Sequence, residues 1–450
     1  MFYPLPTDYL VWLLVAALVA FALYTFGKPH LAASWARVFR SRAAVACSVV
    51  LACYLVVGLL DSLHYRPRLP ATDPAAPAAY AVEVRSVLDA LLMPLRTRLE
   101  KTYSAPLATR LFQKESVELP DGTTVREYPR LAYGGAQLKE EGDWARDVAL
   151  RALAGLAGAA IAWTLVVLAG RRTLARRWTR VPWGAAAAAL GAILALAGPA
   201  AALATGYHVL GTNQVGVDVL YQALKSIRTS LVIGTVTTLV LLPLGVAAGV
   251  AAGYFRGWVD DVIQFIYTTL NSIPGVLLIA ASVLMIQVLI DSHPEAFQTA
   301  AQRADMRLLA LCAILGLTSW TGLARLLRGE SLKLSEQEYV QAAHAFGVSH
   351  VRILARHLLP NVAHIVIISL VLDFSGFVLA EAVLSYVGVG VDPSTISFGT
   401  MINAARMEMA REPMVWWSLA AAFCFMFALV LSANLFADAV RDGFDPRVRA

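Results

Sequence analysis

Long apolar runs, broken by short basic stretches, fill most of the chain. A run of about 20 apolar residues, at 1.5 Å rise per residue, crosses a hydrocarbon core of about 30 Å as a helix. The pattern predicts nine membrane-spanning helices, at 8–26, 43–61, 149–170, 183–204, 229–253, 262–289, 307–324, 362–386 and 414–437. The alanine-rich run 183–204 fits a re-entrant helix as well as a full span. The first run is too long for a signal peptide and carries no small-residue cleavage site, so it reads as a retained span. Gly245, Gly249 and Gly253 recur every four residues after Pro243, a small-residue stripe of the kind that lets two membrane helices approach closely.

One long polar insertion, 62–148, interrupts this pattern. It opens with a Pro/Ala-rich segment at 65–80, and residues 82–104 then show apolar positions at helical spacing. Asp121-Gly122 follows as a turn between two short strands. The expected fold is therefore an all-α polytopic membrane protein of about nine helices carrying one small extracytoplasmic α+β insertion. The expected division is 1–61, N-terminal spans with a basic loop; 62–148, the insertion; 149–204, an additional helical hairpin; and 205–450, a membrane core with a polar loop at 325–361.

Composition agrees with the membrane assignment. Hydrophobic residues make up 58% of the chain and charged residues 15%, against about 25% charged in a soluble domain. The net charge of +6 does not point to nucleic acid, because the arginines flank apolar runs: Arg171, Arg172, Arg176, Arg177 and Arg180 in one cluster, Lys28, Arg37, Arg40 and Arg42 in another. Short basic loops mark the cytoplasmic side. Placing 27–42, 171–182, 254–261, 325–361 and 438–450 there puts the N-terminus outside and the C-terminus in the cytoplasm. The cysteines, Cys47, Cys53, Cys312 and Cys424, lie within apolar runs without metal-ligand spacing.

The loop EYVQAAHAFGVSHVRILARHLLPN, Glu338 to Asn361, is the polar exception among the spans. Ser335 and Glu338 fit a capping box that starts a helix near Glu336. Tyr339, Ala342, Ala343 and Phe346 share one face, and Gly347 suits a left-handed stop. Ser349 can cap a second helix with Val351, Leu354, Leu358 and Leu359 on its apolar face and Arg352, Arg356 and His357 elsewhere. Two amphipathic helices joined by a glycine turn suit either an interfacial pair resting in lipid headgroups or a docking surface for a partner. The histidines His344, His350, His357 and His364 lack the spacing of a metal site, and no nucleophile elbow suggests hydrolysis.

The loop's E-Y-V-x-A-A-x-x-x-G-x-S and R-H-x-L-P-N residues resemble the EAA loop of ABC-importer permeases. So do GLTSWTGLARLLRGESL (316–332), HVLGTNQVGVDVLYQALKSIRTSL (208–231), EAVLSYVGVGVDP (381–393) and NLFADAVRDGFDPR (434–447), in the family's order. The last is similar to the closing signature of the second permease in the oligopeptide/dipeptide/nickel branch. Asn213 stands where the family has Asp and Val217 where it has Arg, so ion pairs made by that segment are expected to be absent. The resemblance implies a subunit of the bacterial inner membrane, working with a homologous permease, two ATPase subunits and an extracytoplasmic solute-binding protein. ATP and Mg would sit on the ATPases, since this chain has no G-x-x-x-x-G-K-[ST] and binds no cofactor itself. It also implies that Glu338, Tyr339, Ala342, Ala343, Gly347, Arg352, Arg356 and His357 couple to an ATPase subunit. Asp373 and Glu381, acids in or near the eighth span, are candidates for the transport pathway or for structural hydrogen bonds. The rival functions are a proton-coupled secondary transporter with Asp373 as relay, and a membrane sensor with 62–148 as receiver. The first needs inverted repeats and several buried acids, which the sequence does not display.

Overall fold

A computed structural model describes residues 2–68, 80–118, 124–173, 181–297 and 299–444. Most of the Pro/Ala-rich stretch, the Asp121-Gly122 turn, Arg176, Arg177, Arg180 and the Asp445-Pro446-Arg447 end of the closing signature lie outside these residues. In chain order the elements are α1 (Pro6–Phe26), α2 (Pro29–Val38), α3 (Arg42–Asp61), β1 (His64–Tyr65), β2 (Arg85–Ser86), α4 (Val87–Leu91), α5 (Met93–Thr97), β3 (Glu115–Glu118) and β4 (Thr124–Glu127). There follow α6 (Trp144–Thr173), α7 (Trp183–Leu203), α8 (Val219–Phe255), α9 (Gly257–Ser272), α10 (Gly275–Asp291), α11 (Ala300–Ser335), α12 (Glu338–Ala345), α13 (His350–Ile353), α14 (Leu359–Val387), α15 (Phe398–Glu408) and α16 (Trp417–Phe444).

Among the described residues, eight helices are long and apolar enough to cross a membrane. The pair α9 and α10, which meet at 86°, makes nine when counted as one broken span. The apolar run 262–289 is thus not one straight helix. Pro274 has no N–H to continue the ladder and restricts the residue before it, and Ile273 is extended accordingly, at φ −92° and ψ 131°.

The chain forms two compact units. The first comprises Met1–Pro4, Ala36–Ser230 and Thr395–Phe436. In it α7 is a continuous helix packed along α6, with the tightest approach at Gly155 and Gly198, where a Cβ on Gly198 would lie 2.7 Å from that of Ala159. Trp163 donates across this pair to the Ala187 carbonyl at 2.7 Å. The insertion is α+β on a small scale: β1 pairs antiparallel with β2 and β3 with β4. The expected helix over 82–104 is instead two single turns, α4 and α5, because Pro94 sits in the first turn of α5 and cannot continue the preceding one.

The insertion is fastened by buried charge. Lys225 at the start of α8 reaches Asp61 at 2.6 Å and Asp89 at 3.2 Å, and Tyr221 donates to Asp89 at 2.7 Å. His208 shares its ring nitrogens between Asp218, at 2.8 Å, and Glu100, at 3.4 Å. The Glu100 carboxylate also accepts the backbone N–H groups of Ala132, Tyr133 and Gly134 at 2.8–3.0 Å. The segment 208–218 therefore carries an ion pair after all. Asp218 supplies one carboxylate from within the segment; the other, Glu100, comes from the insertion, more than a hundred residues upstream, where no local pattern points to it. Asn213 fills the place of the family Asp as a turn former, accepting from the N–H groups of Val215 and Val217. Gly216, at φ +75°, lies so close to the Glu100 backbone that no side chain fits there.

The second unit comprises Leu5–Trp35, Leu231–Ser394 and Ala437–Ala450. Its core gathers Val232, Ile233, Leu308, Leu311, Leu315 and Leu327, among others, from α8, α11 and α14. The glycine stripe of α8 packs against α11: a Cβ on Gly245 would meet Leu323 at 2.9 Å, one on Gly249 the Ala324 carbonyl at 2.6 Å, and one on Gly253 the Arg328 carbonyl at 2.6 Å. Near the start of α11, Arg307 pairs with both Asp291 and Asp392.

Candidate functional site

The loop between α11 and α14 belongs wholly to the second unit. α11 continues to Ser335, whose hydroxyl donates to the Leu332 carbonyl at 2.8 Å and accepts from Arg256 at 2.9 Å. Arg256 also pairs with Glu336. The Ser335–Glu338 capping box is therefore not formed: Ser335 is still inside a helix, its hydroxyl is committed, and α12 begins after Gln337 without a side-chain cap.

α12 ends in a Schellman motif. The Val348 N–H reaches the Ala343 carbonyl at 3.1 Å and the Gly347 N–H reaches that of His344 at 3.0 Å. Gly347 takes φ +73°, and an added Cβ there would meet nothing within 4 Å. The glycine is required by the backbone angle and not by crowding. Ser349 occupies the next N-cap position, but its side chain makes no cap bond.

The second helix departs from ideal winding. α13 passes into a π-helical stretch, Leu354–Leu358, before α14. The extra residue in that turn shifts the phase, so residues five apart share a face. Ile353 and Leu358 are consequently buried together with Val362, while Val351, expected on the apolar face, is 75% exposed and Leu359 is also exposed. Val340 plays the same anchoring part for α12, and Phe346, expected on its apolar face, is 88% exposed.

The pair of helices is thus pinned on one side and open on the other. Tyr339 and His357 face each other with ring centroids 5.8 Å apart, and Asn361 donates to the Tyr339 hydroxyl at 3.1 Å and to the His357 carbonyl at 2.6 Å. His350 lies 2.8 Å from the Tyr254 hydroxyl at the end of α8. An open cleft of about 450 Å³ lies between these elements, lined by Tyr254, Arg256, Glu336, Gln341, His344 and His350, among others. Glu338, Ala342, Gly347, Arg352 and Arg356 are exposed; Ala343 and His357 are half-buried. The candidate residues therefore divide. Tyr339 and His357 brace the two helices, Ala343 packs on the core, and the rest stand at the open surface with Phe346 and Val351. Phe346 and Val351 escaped sequence reasoning as surface residues, because a regular 3.6-residue period assigns both inward.

Of the two span acids, Glu381 is fully buried in α14 and accepts from Ser385 at 2.7 Å. Asp373 is half-buried and makes no hydrogen bond or ion pair among the described residues. No group of three or more His, Cys, Asp or Glu side chains among the described residues is arranged to hold a metal ion.

Residues 245–450 match the family described as binding-protein-dependent transport system inner membrane component. The oligopeptide transport system permease protein OppC of Mycobacterium bovis is 31% identical over 243 residues, which cover 54% of this chain and 77% of that protein. The dipeptide transport system permease protein DppC of Lactococcus lactis is 30% identical, over 53% of this chain and 64% of its own length. The glutathione transport system permease protein GsiD of Pectobacterium atrosepticum is 30% identical, over 54% of this chain and 74% of its own length.

Proposed function

The chain belongs to the family of binding-protein-dependent transport system inner membrane components, and from that premise we propose that the loop 338–361 is the lever through which an ATPase subunit drives it. The protein is the multi-pass permease subunit of an ABC importer. Peptides are the cargo that the related permeases suggest. The proposed assembly adds a homologous permease, two ATPase subunits that hold ATP and Mg, and an extracytoplasmic solute-binding protein. The chain itself carries no catalysis. In this reading the C-terminus and the loop lie in the cytoplasm of a bacterial cell, and 62–148 lies outside.

The observation that carries the reading is the loop's division into a pinned side and an open side. Val340, Ile353 and Leu358 lock the helix pair to the ends of α11 and α14, so force on the tip moves those helices instead of bending the loop. Glu338, Ala342, Phe346, Gly347 and Val351 give a partner a small-residue face flanked by two exposed apolar side chains. Arg352 and Arg356 are placed for acidic side chains or lipid phosphates beside it. Closure of an ATPase dimer on nucleotide would then push a rigid element between two positions.

The test is ATP-driven uptake in membrane vesicles carrying the full complex. Gly347→Pro forces φ to about −65° where +73° is needed, and Ala342→Asp places charge on the small face. Each should lower uptake at least tenfold while the chain still inserts. Ala343→Asp should do the same, with added damage to the loop's own packing because Ala343 touches the core. Unchanged uptake in Gly347→Pro and Ala342→Asp would remove the lever from this loop.

A further inference from the structure

The geometry points to Asp373 as a cation-accepting position on the transport pathway at mid-membrane depth, an inference that rests on the permease reading above. Asp373 stands fourteen residues from either end of α14, Leu359–Val387, or about 20 Å along the axis. It is half-buried, and no described residue bonds to it. Other carboxylates on the long helices of this unit are treated differently. Asp260 is held by Arg328, Asp305 by Thr7 and Glu381 by Ser385. Where the unit buries an acid against its own helices, it supplies a donor; at Asp373 it supplies none.

A carboxylate at this depth facing lipid is costly even on the most lenient scale, so an aqueous path or a ligand is the environment that suits it. The surroundings leave room for one. Gly376, nearly one turn on, has nothing within 4 Å of where a Cβ would stand. Ser369, one turn back, and Ala380, one turn beyond Gly376, continue a strip of small side chains that are not fully buried. In such a strip a single uncompensated negative charge raises the local concentration of cations and lowers that of anions. The group it would receive is a protonated amine, such as the amino terminus of a peptide. Ionisable side chains within membrane helices in general face the bundle interior or a water-filled cavity.

The test uses cysteine chemistry and needs no knowledge of the cargo. In the full complex in native membranes, with Cys47, Cys53, Cys312 and Cys424 replaced by alanine, Gly376→Cys is exposed to a cationic and to an anionic water-soluble methanethiosulfonate. The cationic reagent should react about tenfold faster, and adding Asp373→Asn should bring the ratio close to one. Ala380→Cys gives the same reading if Gly376→Cys does not accumulate. Labelling only by membrane-permeant N-ethylmaleimide would show a lipid-facing or helix-packed position and overturn the proposal, as would a charge preference that survives Asp373→Asn. Because labelling requires no ATP turnover, its failure is separable from a failure of the ATPase-lever reading, which vesicle uptake measures.

Discussion

His208 shows how much one side chain can hold in this protein. Burial alone would lower its pKa, but the hydrogen bonds and charges of Asp218 and Glu100 push it up to about 9 from 6.5. Burial alone would raise Glu100, but the His208 bond and three backbone N–H groups bring it down to about 2 from 4.5. A raised histidine stabilises the fold fully below pH 6.5, and that contribution is lost as pH rises through about 9. A depressed carboxylate stabilises fully above pH 4.5, and its contribution is lost as pH falls through about 2. The triad should therefore hold the insertion best between pH 4.5 and 6.5, and alkaline titration of His208 should remove about 3 kcal/mol of stabilisation. Trypsin cleavage of residues 62–148 in right-side-accessible membranes, followed from pH 6 to pH 10, should accelerate on the alkaline side. Glu100→Gln, which trades an acceptor oxygen for an amide and removes the charge, should flatten that alkaline acceleration and make the segment easier to cut at pH 6. His208 and Asp218 were visible in the sequence as a motif; Glu100 was not, because tertiary pairing across the insertion leaves no local signature.

The helices themselves were legible wherever apolar length decided the matter, and less so where one residue redirected the chain. The long apolar runs identify α1, α6, α14 and α16, because nothing else stabilises so many consecutive apolar residues, whereas the alanine-rich run of α7 left a re-entrant helix open. The elbow at Pro274 and the π-helical stretch at Leu354–Leu358 were not legible. A proline inside an apolar run is compatible with a continuous membrane helix whenever neighbours satisfy the freed carbonyl, and a single extra residue in a turn leaves composition unchanged. What the elbow does becomes clear only from the face α9 turns to α11. Asp260 binds the Arg328 guanidinium with two bonds of 2.6 Å, Arg325 lies 5.3 Å from the Tyr267 ring centroid, and Thr321 donates to Asn271 at 3.2 Å. These partners fall at i, i+7 and i+11 on α9, a polar ladder along one face. It ties α9 to the helix that leads into the loop 338–361. Asp260→Asn leaves Arg328 without its counter-charge, a loss of about 1–3 kcal/mol at this partly exposed pair. ATPase activity of the complex should then continue while uptake per ATP falls several-fold, and the exchange Asp260→Arg with Arg328→Asp should recover part of it. Equal loss of both activities would mean the ladder only stabilises the fold.

At the scale of the whole molecule, the surfaces that await other molecules are of two chemical kinds. Trp258 and Phe265 on α9, and Met285 and Val288 on α10, are each about 70% exposed or more, apolar side chains of the kind that face lipid or a partner. Lipid or a second permease can cover them, and both recognise them by apolar packing. The loop 338–361 is different: its open side mixes Glu338, Arg352 and Arg356 with Phe346 and Val351 around a glycine turn, a surface that suits a soluble partner with its own polar rim. The two kinds of surface make the assembly separable. If the tagged chain is purified in mild detergent from native membranes, the wild type should carry a homologous permease and ATPase subunits. Gly347→Pro alters only the loop's turn, so it should retain the permease and reduce the co-eluting ATPase at least tenfold. Loss of both partners would mean that the turn supports the fold of the whole unit. Retention of both would mean that the ATPase grips this chain elsewhere, and the division of labour between its apolar helices and its polar loop would have to be redrawn.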